Sequence, residues 1–128
     1  MNIANVLLAL SAGFFWYGEA CRCGIVEERD RYCRAEWAMI GNVVSSTVVG
    51  NERIYTVIVR LSLKGNTGYA PVQVYTPTEG SVCGVTLDVN KNYLLAGSYL
   101  EKRLHLGLCS IAREMTRKEV YIYSPPYC

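Results

Sequence analysis

Six cysteines, at positions 21, 23, 33, 83, 109 and 128, constrain this 128-residue chain more than any other feature. Whatever fold the chain takes must satisfy all six. In a secreted chain an even count of this kind reads as three disulfides, and spacing alone leaves fifteen pairings open. Each bridge that closes a loop of tens of residues adds about 3–4 kcal/mol by restricting the denatured chain. A structural zinc site is the poorer reading. Cys21-x-Cys23 has the wrong spacing for a finger, and no second Cys or His pair completes it.

The segment ahead of the cysteines, residues 1–20, reads as a signal peptide. It opens on a short polar stretch without Lys or Arg. Residues 6–16 are almost wholly apolar, the length of a signal-peptide core and too short to span a bilayer. Gly18-Glu19-Ala20 puts small residues at the two positions a signal peptidase reads. A buried first helix is the alternative. A bacterial lipobox fits less well, because Glu19 stands where a small residue is expected. The expectation is a secreted, extracellular protein with one mature domain over residues 21–128.

Charge excludes some partners. Glu19 leaves with the leader, so the mature chain carries 13 basic and 10 acidic residues, a net +3. The signs are interspersed, with no block that suits nucleic acid or an anionic membrane. Lys102-Arg103, Arg113 and Arg117-Lys118 would form a modest basic surface for a sulfated glycan. An ordinary solvated face is the plainer reading. No Asn-x-Ser/Thr acceptor occurs; Asn66-Thr67-Gly68 fails the pattern.

Cleavage after Ala20 would make Cys21 the first residue. A disulfide at that cysteine would then pin the α-amino group. A fixed, neutral amine beside its own carbonyl oxygen is a two-atom ligand for a metal ion. That geometry suits plugging the zinc site of another protein.

The rest of the chain reads as β-rich. Residues 27–34 form a charged run that suits a short helix tied down by Cys33. From Trp37, apolar residues occupy both faces of a strand, as expected for one buried on both sides. Gly50-Asn51 is a turn signal. Val57, Val59, Leu61 and Leu63 then alternate with Arg60, Ser62 and Lys64. Val72, Val74 and Thr76 alternate with Gln73 and Tyr75 before Pro77 stops the strand. Residues 93–96 and the Leu104, Leu106, Leu108 alternation complete five strands at short intervals, without a βαβ rhythm. Thr116 with Glu119 forms a capping box for a final helix, ended by Ser124-Pro125-Pro126. The expected fold is mainly β: a five-stranded closed Greek-key, OB-like barrel with a short helix near each terminus and three disulfides.

These motifs resemble the tissue inhibitors of metalloproteinases. Cys21-x-Cys23 with Cys33 resembles the start of a mature inhibitor. Leu63-Lys64-Gly65 resembles the end of the family's second strand. Val74-Tyr75-Thr76-Pro77 followed by Ser81-Val82-Cys83-Gly84 resembles its third strand and the loop after it. Tyr93-Leu94-Leu95-Ala96-Gly97 and Leu104-His105-Leu106, leading to Cys109, continue in order. The resemblance covers essentially all of residues 21–128 and implies the family's N-terminal, netrin-like domain alone. It implies the bridges Cys21–Cys83, Cys23–Cys109 and Cys33–Cys128.

It also implies a site. Cys21, Arg22, Cys23, Gly24 and Ile25, stapled against Ser81, Val82 and Cys83, would form a protease-contacting ridge. The Cys21 amine and carbonyl would bind the catalytic zinc of a matrix, disintegrin-type or astacin-type metalloendopeptidase. Ser81 and Val82 would fill the unprimed side of the cleft, and Arg22 would enter the primed-side pocket beside the zinc. The chain departs from the family pattern at three places. Arg22 replaces a small Thr or Ser, and a buried unpaired guanidinium costs several kcal/mol unless its head reaches water. Gly24-Ile25 replaces an apolar residue and a proline, and glycine would loosen the ridge. Ile111-Ala112-Arg113-Glu114 replaces a Pro-Trp segment. These changes argue for a restricted or different target.

Two other functional readings stand beside this one. The first is a netrin-like binding module without inhibitory activity, whose partner is a receptor, growth factor or matrix component. The second is a redox or metal-binding protein using Cys21-x-Cys23, which a thiol count would exclude. The chain has no HExxH, no GxSxG and no phosphate loop, so it is expected not to be an enzyme and to need no cofactor of its own. His105, the only histidine, reads as a packed strand residue. Tyr121, Tyr123 and Tyr127 would make an exposed binding patch.

Overall fold

A computed structural model describes residues 23, 24, 26–68, 70–78 and 83–128. Helix α1 covers Glu28–Arg34, and helix α2 covers Arg117–Ile122. Between them lie β1 (Trp37–Val49), β2 (Glu52–Lys64), β3 (Val72–Pro77), β4 (Asn92–Leu100), β5 (Arg103–His105) and β6 (Ile111–Met115). β1 pairs with β2, β2 with β3, β3 with β5, β5 with β4, and β4 returns to β1, closing a five-stranded ring. All of these pairings are antiparallel except β3–β5, which is parallel. This is the OB-like barrel expected from the strand spacing.

The last strand of the ring is laid down in two pieces. β5 pairs with Ser98–Leu100, and β6 pairs with Asn92–Ala96. The Leu104 alternation predicts one strand running through to Leu108, and no pattern marks a strand at residues 111–114. The chain instead leaves the sheet at Leu106 and rejoins it at Ile111. The 106–110 loop breaks the alternation, and Arg113-Glu114 hides β6 by interrupting its apolar positions. Ile111 and Met115 are nevertheless buried.

Two cores follow from the two faces of the sheet. Trp37, Met39, Val43, Tyr55, Val57, Val59, Val74, Leu87, Tyr93, Leu95, Leu104 and Leu106 fill the barrel. Tyr32, Ala38, Ile40, Leu94, Ala96, Ile111 and Met115 form an outer layer, against which Ala35, Val120 and Tyr123 pack. The first half of β1 is thus buried on both faces, as its composition requires.

Bulges bend the long β1–β2 hairpin into the ring. The register shifts between Ala38 and Met39, between Ile40 and Gly41, and between Val43 and Ser45. Each extra residue reverses the facing of the residues after it. Ile40 pairs with Leu61 and Gly41 with Val59. The single face read for Val57, Val59, Leu61 and Leu63 is therefore split. Val57 and Val59 point into the barrel, Leu61 lies 44% exposed outside, and Leu63 packs on the outer layer.

Both helices are short and depend on these supports. α1 places Glu28 and Asp30 in its first turn and Arg31 and Arg34 in its last, which complements its dipole. Lys64 donates from Nζ to the Tyr32 and Cys33 carbonyls at 3.0 and 3.1 Å, satisfying the helix end. At α2 the capping box forms: Glu119 N–H donates to Thr116 Oγ1 at 3.2 Å, and Thr116 N–H donates to Glu119 Oε1 at 3.0 Å.

Candidate functional site

Two limbs of the expected ridge leave the barrel within the described residues. The first begins at Cys23, which is bonded to Cys109 in the 106–110 loop. Leu106, fully buried, anchors that loop, and its N–H donates to Tyr75 O at 2.8 Å. Gly107 N–H donates to Ser110 Oγ at 2.9 Å, and Ser110 N–H donates to Gly107 O at 3.1 Å. Gly24 then turns the chain with φ +71, a left-handed conformation that glycine adopts at little cost. The glycine expected to loosen the ridge therefore meets a backbone requirement.

The second limb follows Cys83, which is disulfide-bonded. Residues 84–88 have no ladder partner strand, so their polar backbone needs other partners. Three buried hydroxyl-bearing residues supply them. Val85 N–H donates to Thr76 Oγ1 at 2.9 Å. Tyr55 OH donates to Val85 O at 3.3 Å and accepts from Leu87 N–H at 2.9 Å. Asp88 N–H donates to Tyr93 OH at 2.8 Å. Gly84 backs onto the carbonyls of Pro77 and Thr78, leaving no room for a side chain.

The two limbs converge. Val26 and Val85 line one surface cleft of about 340 Å³, together with Leu108, Ser110 and Ala112. A neighbouring cleft of about 230 Å³ runs under the Cys23–Cys109 bridge, between α1 and β4. Cys21, Arg22, Ile25, Ser81 and Val82 lie outside the described residues, as does the signal peptide expected over residues 1–20. The Cys21–Cys83 pairing therefore lies there too. The other two bridges, Cys23–Cys109 and Cys33–Cys128, have Cα separations of 5.4 and 5.6 Å and are the pairs implied by the resemblance. No described cysteine is free, so no described thiol is available for redox chemistry. No group of three His, Cys, Asp or Glu residues suited to a metal occurs among the described residues.

The basic residues do not assemble into one surface. Lys102-Arg103 follow the end of β4, while Arg117-Lys118 lie past its start. Eight residue steps separate the two ends of β4, about 26 Å at 3.3 Å each. Arg113 is neutralised between them. It meets Glu28 at 2.7 Å and Glu119 at 3.3 Å, and the hydrogen bond to Glu28 raises its pKa further. Arg103 contacts Glu52 at 3.7 Å and stacks 4.7 Å from the Tyr75 ring. His105 sits in β5, paired with Tyr75 and Ser98. Of the three late tyrosines, Tyr121 and Tyr127 are 83% and 92% exposed. Tyr123 packs on the outer core, and burial raises its pKa.

Sequence reasoning does not single out Tyr55, Thr76 and Tyr93 as supports of this site. One signal is present: Thr76 is a polar residue on the inward face of the Val72, Val74, Thr76 alternation. The positions of its partners at 85–88 carry no comparable mark.

Comparison with known proteins agrees with this architecture. The family model for tissue inhibitor of metalloproteinase matches residues 19–118. The chain is 32% identical to metalloproteinase inhibitor 3 of Xenopus laevis over 124 residues, covering 87% of this chain and 58% of that protein. It is 33% identical to metalloproteinase inhibitor 3 of Gallus gallus over 99 residues, covering 72% and 46%. The tissue inhibitor of metalloproteinase of Drosophila melanogaster is 26% identical over 128 residues, covering 93% and 59%. The chain thus spans about half the length of these relatives. With its closed barrel, the two bridges between described residues and this match over most of its length, the chain belongs to the tissue inhibitor of metalloproteinase family.

Proposed function

We propose that this protein is a secreted, extracellular inhibitor of zinc metalloendopeptidases. The observation that supports this most directly is the convergence of Val26 and Val85 on one cleft. Each lies within three residues of a ridge cysteine, Cys23 or Cys83. Two limbs anchored side by side can present residues 21–25 and 81–83 as one edge.

A metalloendopeptidase holds its zinc through three protein ligands and keeps a fourth position for water, its nucleophile. The Cys21 amine and carbonyl oxygen would displace that water as a five-membered chelate with no bond to cleave. A Cys21–Cys83 bridge would hold both atoms in place before binding, which lowers the ordering cost. The amine must be unprotonated. A free α-amino group has a pKa of about 7.7–8.0, so inhibition weakens as pH falls. Arg22 would point beside the zinc and restrict the targets to enzymes whose pocket lets the guanidinium reach water. The zinc belongs to the target; this chain brings no cofactor.

The test is titration of matrix, disintegrin-type and astacin-type enzymes with oxidised protein starting at Cys21. A form with one extra alanine ahead of Cys21 serves as the control. Loss of inhibition in the control identifies the Cys21 amine as the ligand. Arg22 also favours a second reading, a netrin-like module that has lost inhibition. Arg22→Thr separates the two: tighter protease binding supports an inhibitory ridge, and no binding by either form supports the module.

A further inference from the structure

We propose that Thr76 and Tyr55 are positioning residues for the protease-contacting ridge, acting through a hydroxyl clamp on the chain that follows Cys83. This rests on the inhibitory reading above. Thr76 and Tyr55 are almost fully buried, on adjacent strands β3 and β2. Packing alone does not call for a hydroxyl at position 76, since Val74 occupies the same face two residues earlier and is fully buried. The Thr76 hydroxyl instead takes the Val85 N–H, and the Tyr55 hydroxyl takes both Val85 O and Leu87 N–H.

These bonds tie residues 85–87 to β2 and β3. Ahead of Cys83, Thr78 N–H donates to Asn51 O at 3.0 Å, tying the chain to the β1–β2 turn. After Cys83, Gly84 wedges against the Pro77 and Thr78 carbonyls and Val85 bonds to Thr76. The clamp grips the chain two and four residues after Cys83, at Val85 and Leu87. A ridge held at its base reaches the protease already shaped, and loosening the base adds an ordering cost to every binding event. Thr76 and Tyr55 would not touch the protease; they act through residues 83–87.

The test compares Thr76→Val, Thr76→Ser, Tyr55→Phe and Ile40→Val with the unaltered protein. Ile40 is fully buried in the outer layer, so its truncation is a control for general destabilisation. Inhibition constants are measured on an enzyme that the unaltered protein inhibits, and amide exchange is followed at Val85 and Leu87. Thr76→Val removes one net hydrogen bond and should weaken inhibition about fivefold to tenfold. Tyr55→Phe removes the bonds to both Val85 and Leu87 and should weaken it about tenfold or more. Thr76→Ser keeps the hydroxyl and should restore inhibition. Ile40→Val should lower the unfolding midpoint without changing inhibition. Exchange at Val85 and Leu87 should quicken in the clamp variants alone.

Equal inhibition by all variants overturns the proposal and leaves the inhibitory reading standing. Loss that tracks the unfolding midpoint across all variants, Ile40→Val included, also overturns it, because the hydroxyls then have only a structural role. If the unaltered protein inhibits no enzyme, the inhibitory reading fails. Exchange then decides the clamp alone: unchanged protection in Thr76→Val and Tyr55→Phe overturns it.

Discussion

Replacing Cys33 and Cys128 together by alanine should destabilise the protein by about 3.7 kcal/mol, less than their sequence separation suggests. Taken alone, a bridge with a separation of 95 removes about 4.7 kcal/mol of denatured-chain entropy. The Cys23–Cys109 bridge, with a separation of 86, already joins the two ends of the chain. In its presence the shortest path from Cys33 to Cys128 runs back to Cys23, across to Cys109 and forward again. That path is about thirty residues, for which the same relation gives about 3.7 kcal/mol. The reverse case is symmetric, since removing Cys23–Cys109 leaves the same thirty-residue path. With Cys83 also bonded, and to Cys21 as proposed, the path from Cys23 to Cys109 through that third bridge is again about thirty residues, so removing both bridges should cost about 7 kcal/mol, the sum of the two single losses. Cys109 and Cys128 are exposed and Cys23 and Cys33 half-buried, so alanine leaves no large core cavity to confuse the result. Guanidinium titration at 25 °C, followed by far-ultraviolet circular dichroism, measures each loss. Domains of this size have about 5–15 kcal/mol in total, so the single-bridge variants should fold and the double one should be marginal or unfolded. Single losses below about 1 kcal/mol, or as large as the roughly 4.7 kcal/mol of an isolated bridge, would refute the shared-path argument.

Other outcomes follow from particular contacts. Leu95→Ala, deep in the barrel, should cost about 2–5 kcal/mol, while Leu61→Ala should cost less than about 1 kcal/mol; equal costs in denaturant titration would contradict the facing reversal at the bulges. Trp37 is fully buried and donates from Nε1 to Ser98 O at 2.8 Å. Trp37→Phe should therefore cost at least about 1 kcal/mol in thermal unfolding, and a neutral result would show that the bond carries no net stability. The Thr116 backbone and hydroxyl bonds, followed by the Arg113 charge, hold the Glu119 pKa below its usual range. A depressed carboxylate stabilises the fold above the ordinary glutamate pKa, and that stabilisation is lost as pH falls through the folded value. Carbon-detected NMR titration of Glu119 should show the low midpoint, and Thr116→Ala, which removes the hydroxyl and keeps the backbone N–H, should raise it in part; a midpoint that ignores the substitution would show that the backbone bond alone sets it.

Local patterns carry a large part of the fold. The Thr116–Glu119 box marks α2 because both of its bonds close within four residues. Apolar residues on both faces of β1 mark a doubly buried strand, and the Gly50-Asn51 turn sets the hairpin. The candidate ridge is legible through its cysteines and the order of its motifs, since those are written along the chain. Spacing by itself leaves the disulfide pairing open, because a pairing depends on where strands far apart in sequence come to lie. For the same reason the basic residues read together along the chain fall at opposite ends of β4.

The amino-acid sequence by itself determined a cysteine-stapled, mainly β domain with a helix near each end and a family resemblance along its length. These properties rest on residue order and on periods of two to four residues. Only the tertiary structure decided that bulges turn Leu61 outward, that the last strand breaks around the 106–110 loop, and that Thr76, Tyr55 and Tyr93 hold the chain after Cys83. Each of those depends on closing the barrel. Closure brings hydroxyls to backbone groups five to thirty-two residues away and forces a long hairpin to bend. No local pattern records how that strain is distributed.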